Sequence, residues 1–172
     1  IIVVGSVEEV AALKVEDEDK VGYITQTTLS MDDTAEIIDA LKKRYPKIQG
    51  PAKDDICYAT QNRQNAVKAL SKEVELVLVV GAQNSSNSVR LLEVAKTTGV
   101  KARRIESAAE LKAEWLEGVR NIGITAGASA PEDIVQGIIT ELRKMSSSSQ
   151  VRDLEIVRED VTFALPAVLR TA

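Results

Sequence analysis

The 172-residue sequence contains no histidine and a single cysteine. The first absence excludes imidazole acid–base chemistry and imidazole metal ligation within this chain. The second excludes an internal disulfide, so a reducing compartment is compatible with the composition. There is no basic excess. Lys and Arg number 22 against 26 Asp and Glu, a formal net charge of −4, which argues against binding nucleic acid through its phosphates. No apolar run approaches the ~20 residues of a membrane span. An initiator Met and a basic, apolar leader are missing too. The sequence opens on Ile1-Ile2-Val3-Val4-Gly5-Ser6, and the expectation is a start within a fold. What remains is globular in character: 44% hydrophobic and 28% charged residues, with chain enough for one or two domains.

Along the chain, strand, turn and helix repeat. Residues 1–4 read as a short apolar strand, 7–13 as a weak helix and 21–25 as the next strand. A helix then opens with Ser30 as N-cap and Asp33 three residues on, carries the stripe Ile37, Ile38, Leu41 and Tyr45, and stops at Pro46. Residues 48–51 mark a boundary, and a helix follows over 59–72. The run 74–80, apolar but for Glu75 and stopped by Gly81, suits a central parallel strand covered on both faces. Residues 88–98 read as a helix with Val89, Leu92, Ala95 and Lys96 near its buried side, ended by Gly99. Then come an edge strand over 101–105, a short helix over 108–116 with Leu111 and Trp115 packing, and a strand over 121–125. Pro131 sits in the first turn of an amphipathic helix that includes Ile134, Val135, Ile138, Ile139 and Leu142. After the polar 146–149, Leu154, Ile156, Val161, Phe163 and Leu165 alternate as extended or hairpin structure. The fold class is α/β, with a parallel sheet and right-handed crossovers.

Three strand-to-helix turns share an unusual composition: Thr25-Gln26-Thr27-Thr28-Leu29-Ser30, Gly81-Ala82-Gln83-Asn84-Ser85-Ser86-Asn87-Ser88 and Thr125-Ala126-Gly127-Ala128-Ser129-Ala130-Pro131. All are expected at the carboxyl ends of parallel strands, where open α/β sheets bind ligands. Each leads into a helix N-terminus, which offers free N–H groups and positive dipole to an anion. Ser, Thr and Asn are also ordinary caps and turn residues, so any one turn has a purely local explanation. The second is harder to explain that way, because a cap needs one such residue and this run has five. None of the turns holds Lys or Arg. Cys57 reads either as a small buried hydrophobe or as a thiol at a helix start, where the dipole favours thiolate. One Cys cannot hold an iron–sulfur cluster alone. Asp54 and Asp55 are expected to hold backbone donors.

The four segments 25–30, Lys53-Asp54-Asp55-Ile56-Cys57-Tyr58-Ala59-Thr60 with Asn62-Arg63, 84–88 and 125–131, in this order and spacing, resemble the 4-hydroxy-3-methylbut-2-enyl diphosphate reductases of the non-mevalonate isoprenoid pathway. The resemblance spans residues 1–166. It implies three similar α/β domains in pseudo-threefold arrangement around a 4Fe-4S cluster, each giving one Cys. It also implies reductive removal of an allylic hydroxyl to give isopentenyl and dimethylallyl diphosphates. By motif, Cys57 would be a cluster ligand. Ser85, Ser86, Asn87 and Ser129 would hold the diphosphate, and Thr27 with Gln26 would lie beside the reacting carbon chain.

The resemblance further implies that residues 1–50 are the last part of a second domain, 51–145 a complete third domain and 146–172 a tail. The other cluster Cys residues, the active-site His residues and the relay Glu belong to an amino-terminal half outside this sequence. The chain alone is then expected to be inactive. Implied partners are the allylic diphosphate, an electron donor such as ferredoxin or flavodoxin, and the missing half or other copies of this chain. The implied location is the cytoplasm. Two alternatives stand beside this: a self-standing diphosphate-binding module without redox chemistry, and a one-Cys chain that assembles around a cluster.

Overall fold

The computed structural model describes residues 1–51, 55–146 and 148–158. At its centre is strand β1 (Leu76–Val80), all five residues of which are buried. β2 (Lys101–Ile105) and β3 (Ile122–Ala126) flank it, both parallel, in the order β2-β1-β3. The register sets Val80 opposite Ile105 on one side and Ala126 on the other.

Side-chain alternation along β1 sorts the helices into two layers. Val77 and Val79 face a cluster with Val67 of α3 (Tyr58–Leu70) and Leu91, Val94 and Ala95 of α4 (Ser86–Thr97). Leu76, Leu78 and Val80 face Ile138 of α5 (Glu132–Met145), with Ile134, Leu111 and Trp115 around them. The fully apolar run is therefore a strand covered on both sides, as its composition predicts.

A separate cluster joins α1 (Val7–Ala12) to α2 (Met31–Arg44), with Val10, Leu41 and Tyr45 at its centre. Ser30 caps α2 by accepting the Asp33 N–H at 3.3 Å. Tyr45 closes it, before Pro46.

Several expectations are corrected. Residues 1–4 form no strand; Ile1, Ile2 and Val3 are exposed, with no ladder partner among the described residues. Residues 21–25 make only an isolated parallel bridge, Gly22 to Gln49, so the apolar alternation there has one rung to bind. The partner residue of that bridge, Gln49, lies in the segment 48–51. Residues 108–116 form two 3-10 turns, Ala108–Glu110 and Ala113–Trp115, rather than one helix. α4 starts two residues earlier than expected and buries Asn87, Ser88, Leu91, Val94 and Ala95, leaving Lys96 exposed. Its face begins with two polar residues, which a search for apolar spacing passes over. The described part of the tail has no regular structure, and Val161, Phe163 and Leu165 lie outside the described residues.

Candidate functional site

The second turn leaves the end of β1 and the third leaves the end of β3, so the parallel pairing brings them side by side. The Gly127 N–H donates to Val80 O at 2.8 Å, and the Gly81 N–H to Ile105 O at 3.0 Å. Ser88, fully buried, fills the gap between the two glycines. A Cβ at Gly81 would lie 2.1 Å from Ser88 Oγ, and one at Gly127 would lie 2.2 Å from it. Ser85 caps α4 by accepting the Ser88 N–H at 3.3 Å, and the Ser88 hydroxyl donates to Ser85 Oγ at 3.0 Å.

Asn87 is 9% exposed, and neither its Nδ2 nor its Oδ1 has a hydrogen-bond partner. Its Nδ2 lies 3.7 Å from where a Gly127 Cβ would stand. Gly127 thus borders a buried, uncommitted amide at the N-terminus of α4.

The first turn arrives differently. It follows the isolated parallel bridge at Gly22, not a strand of the main sheet, which corrects the expectation that it leaves the end of a regular parallel strand. Four bonds hold it and the first residue of α2 to α3 and the segment leading into α3. The Thr25 N–H donates to Asp55 Oδ2 at 2.7 Å, and the Cys57 N–H to Thr27 O at 3.1 Å. Gln64 Nε2 donates to Leu29 O at 2.7 Å, and Gln64 Oε1 accepts the Met31 N–H at 3.0 Å. Asp55 therefore holds a backbone donor, as expected, although 30 residues away; Asp54 lies outside the described residues.

The docked turn faces α4 across a cleft of about 290 Å³, with Gln26 and Thr28 on one side and Asn84 and Ser86 on the other. Arg90 reaches this cleft from α4, a cation that the turns themselves lack. It pairs with Glu93 at 2.8 Å and Asp33 at 3.4 Å. Arg104 braces the base of the second turn, donating to Gly81 O at 2.8 Å and Glu106 Oε1 at 2.9 Å. Glu106 also accepts the Gln83 N–H at 3.0 Å. The Arg104 hydrogen bond, then that from Gln83, holds the Glu106 carboxyl below the usual carboxylate range.

Of the sequence-predicted residues, Gln26 and Ser86 share the cleft, and Asn87 adjoins Gly127. Thr27 is exposed and tied through its carbonyl to the Cys57 N–H. Ser129 is exposed, two residues beyond Gly127. Cys57 is exposed at the N-cap of α3, which sets aside its reading as a buried hydrophobe. Among the described residues no group of three or more His, Cys, Asp or Glu side chains is placed to hold a metal ion. Cys57 fits one ligand position of a cluster, and the described residues do not complete the set.

Gln64, Arg90, Arg104 and Glu106 are missed by motif reasoning, and Ser88 falls within the second turn without being singled out as a site residue. Gln64 bonds residues 33 and 35 positions away, Arg90 reaches Asp33 57 away, and Arg104 and Glu106 each hold the second turn from 23 away, so no local spacing reveals these contacts.

Residues 1–143 match the family model described as LytB protein. A 4-hydroxy-3-methylbut-2-enyl diphosphate reductase of Pseudomonas aeruginosa is 54% identical over 162 residues, 94% of this chain and 51% of the relative. That of Acidithiobacillus ferrooxidans is 55% identical over 166 residues, 96% of this chain and 52% of the relative. The chain spans about half the length of the curated relatives it matches. The solved structure of the E-1-hydroxy-2-methyl-but-2-enyl-4-diphosphate reductase from Plasmodium falciparum superposes with a TM-score of 0.86 at 32% identity, covering 95% of this chain and 52% of that one. By sequence over most of its length, and by fold, the chain belongs to the LytB protein family.

Proposed function

We propose that this chain supplies the substrate-holding turns and one cluster thiolate of a 4-hydroxy-3-methylbut-2-enyl diphosphate reductase. In this reading, residues 1–50 close a second α/β domain, 51–145 form a third and 146–172 a tail. The observation that carries it is the Asn87 amide, buried and unpartnered beside Gly127. An unsatisfied buried polar group costs about 1–3 kcal/mol. A diphosphate oxygen accepting from Asn87 Nδ2 relieves that cost.

Ser85, Ser86 and Ser129 add short neutral donors, and the start of α4 adds N–H groups and dipole. Gln26 and Thr27 meet the other end of the substrate. There the allylic C–O bond breaks, two electrons and two protons enter, and water leaves, giving isopentenyl or dimethylallyl diphosphate. Cys57 holds one corner of a 4Fe-4S cluster, which when bound supplies the electrons and an iron site for the hydroxyl. The remaining ligands come from protein outside this sequence, the electrons from a ferredoxin or flavodoxin, and the setting is the cytoplasm.

Iron and sulfide content with a visible spectrum, after anaerobic reconstitution, tests the cluster. We expect a cluster in the complete protein carrying this sequence and its loss in Cys57→Ser; full iron content in that variant overturns the ligand assignment. Calorimetry with inorganic diphosphate tests the anion site. Asn87→Ala should weaken binding about tenfold or more, as for loss of a hydrogen bond to a charged group. Unchanged affinity removes the diphosphate role. Diphosphate binding by a protein that never takes up iron would point to an anion-binding module instead. A cluster on a trimer of this chain would point to self-assembly.

A further inference from the structure

We propose that Gln64 is a positioning residue, locking the turn that carries Gln26 and Thr27 onto the helix that begins at Cys57. Its consequence for catalysis rests on the reductase reading above; the lock itself does not. Gln64 is 1% exposed, and both ends of its amide are in use. Nε2 donates to Leu29 O and Oε1 accepts from the Met31 N–H, at 2.7 and 3.0 Å. Met31 is the first residue of α2, so its N–H is one of the donors a helix leaves without an internal partner. Ser30 serves the Asp33 N–H, and Gln64 serves this one from another helix.

The side-chain type is specific. A planar amide offers one donor edge and one acceptor, as the two main-chain groups require. Glutamate at neutral pH would set a carboxylate against the Leu29 carbonyl, and asparagine is one methylene short. Methionine fills a similar volume and holds neither group.

The position matters as much. Gln64 lies seven residues after Cys57, two turns along the same helix and on the same side. The Asp55–Thr25 and Cys57–Thr27 bonds fasten the same turn nearer the thiol. Residues 25, 27, 29 and 31 are thus each tied to the 55–64 segment. Between them, Gln26 and Thr28 are left to line the cleft opposite Ser86. Cys57 and the Gln26–Thr27 pair become one rigid unit, which a reaction between cluster and substrate needs. Small misplacement of reacting groups costs rate more than binding.

The test uses Gln64→Met in the complete protein. Amide exchange of Met31 should quicken about tenfold or more, as for one lost hydrogen bond, with Val77 and Val79 unchanged. Reductase kcat should fall about tenfold or more, with KM and inorganic diphosphate affinity within about threefold of wild type. Iron content should be unaltered. Unchanged Met31 exchange, or a kcat that falls only in step with iron content or folded fraction, overturns the proposal. Asp55→Ala, at a less buried position, should give the same pattern with Thr25 as the reporting amide; it decides the matter if Gln64→Met does not fold. An inactive wild-type protein that takes up no iron would count against the reductase reading, and Met31 exchange would still decide the lock.

Discussion

Ser88 is wedged between Gly81 and Gly127, and the two contacts differ in a way substitution can read. At Gly127 a new Cβ would meet only the Ser88 Oγ closely, since Ser88 Cβ lies 3.5 Å off; at Gly81 it would also meet Ser88 Cβ at 2.7 Å. Gly127→Ala and Gly81→Ala should each destabilise by about 1–3 kcal/mol, the range for overpacking. Adding Ser88→Ala should restore most of the loss for Gly127→Ala and little for Gly81→Ala, measured by urea unfolding against Ser88→Ala alone. Equal rescue of both would contradict the packing described here. Ser85→Ala should cost about 1 kcal/mol through its cap to Ser88 N–H, a loss separable from any loss of diphosphate affinity. That the second turn exceeds the needs of a cap is legible in its five consecutive Ser and Asn residues. Which of them caps, which packs and which stays uncommitted is not, because each role depends on what β3 brings alongside.

At the scale of elements, β1 is the piece most readable in advance. Five consecutive apolar residues before a glycine leave little alternative to a strand covered on both faces. Its centre should be intolerant: Leu78→Ala is expected to lose about 2–5 kcal/mol in denaturant unfolding. The entrance to β1 carries a titration. Glu75 Oε2 accepts the Asn121 N–H at 2.7 Å, and the Glu75 N–H donates back to Asn121 O at 3.1 Å. The bond from Asn121, aided by the Arg120 charge, holds the Glu75 carboxyl below its ordinary range. Its contribution is present above the free glutamate value, about pH 4.3, and is lost as pH falls further through the folded value. Amide exchange of Asn121 should quicken over that acid window in wild type, and Glu75→Gln should remove the pH dependence. A wild-type profile that is flat through acid pH would deny the bond that role. The helices were less legible. α4 hides its phase behind buried Asn87 and Ser88, and the 108–116 segment splits because short 3-10 turns leave Leu111 and Trp115 on the α5 layer.

In the molecule as a whole, the α1–α2 cluster and the sheet clusters are distinct, joined by a few polar contacts. Among those contacts are the turn bonds to Asp55, Cys57 and Gln64, together with ion pairs from Asp32 to Lys68 and from Asp33 to Arg90. Exposed pairs of this kind add little stability. The Tyr23 N–H, bonded to Gln49 O, and the Gln49 N–H, bonded to Val21 O, with one bridge to support them, should therefore exchange faster than those of Val77 and Val79; equal protection would mean one cooperative unit. The sequence by itself determined the α/β class, the central strand, the three polar turns and the motif order that marks the family, because these rest on local spacing and on runs of residue type. Only the tertiary structure decided that the first turn docks through Gln64 and Asp55, that Arg90 enters the cleft already paired, and that Asn87 is buried with its amide uncommitted. Each joins residues distant in the chain, and their meeting depends on packing and parallel register rather than on any pattern within one segment.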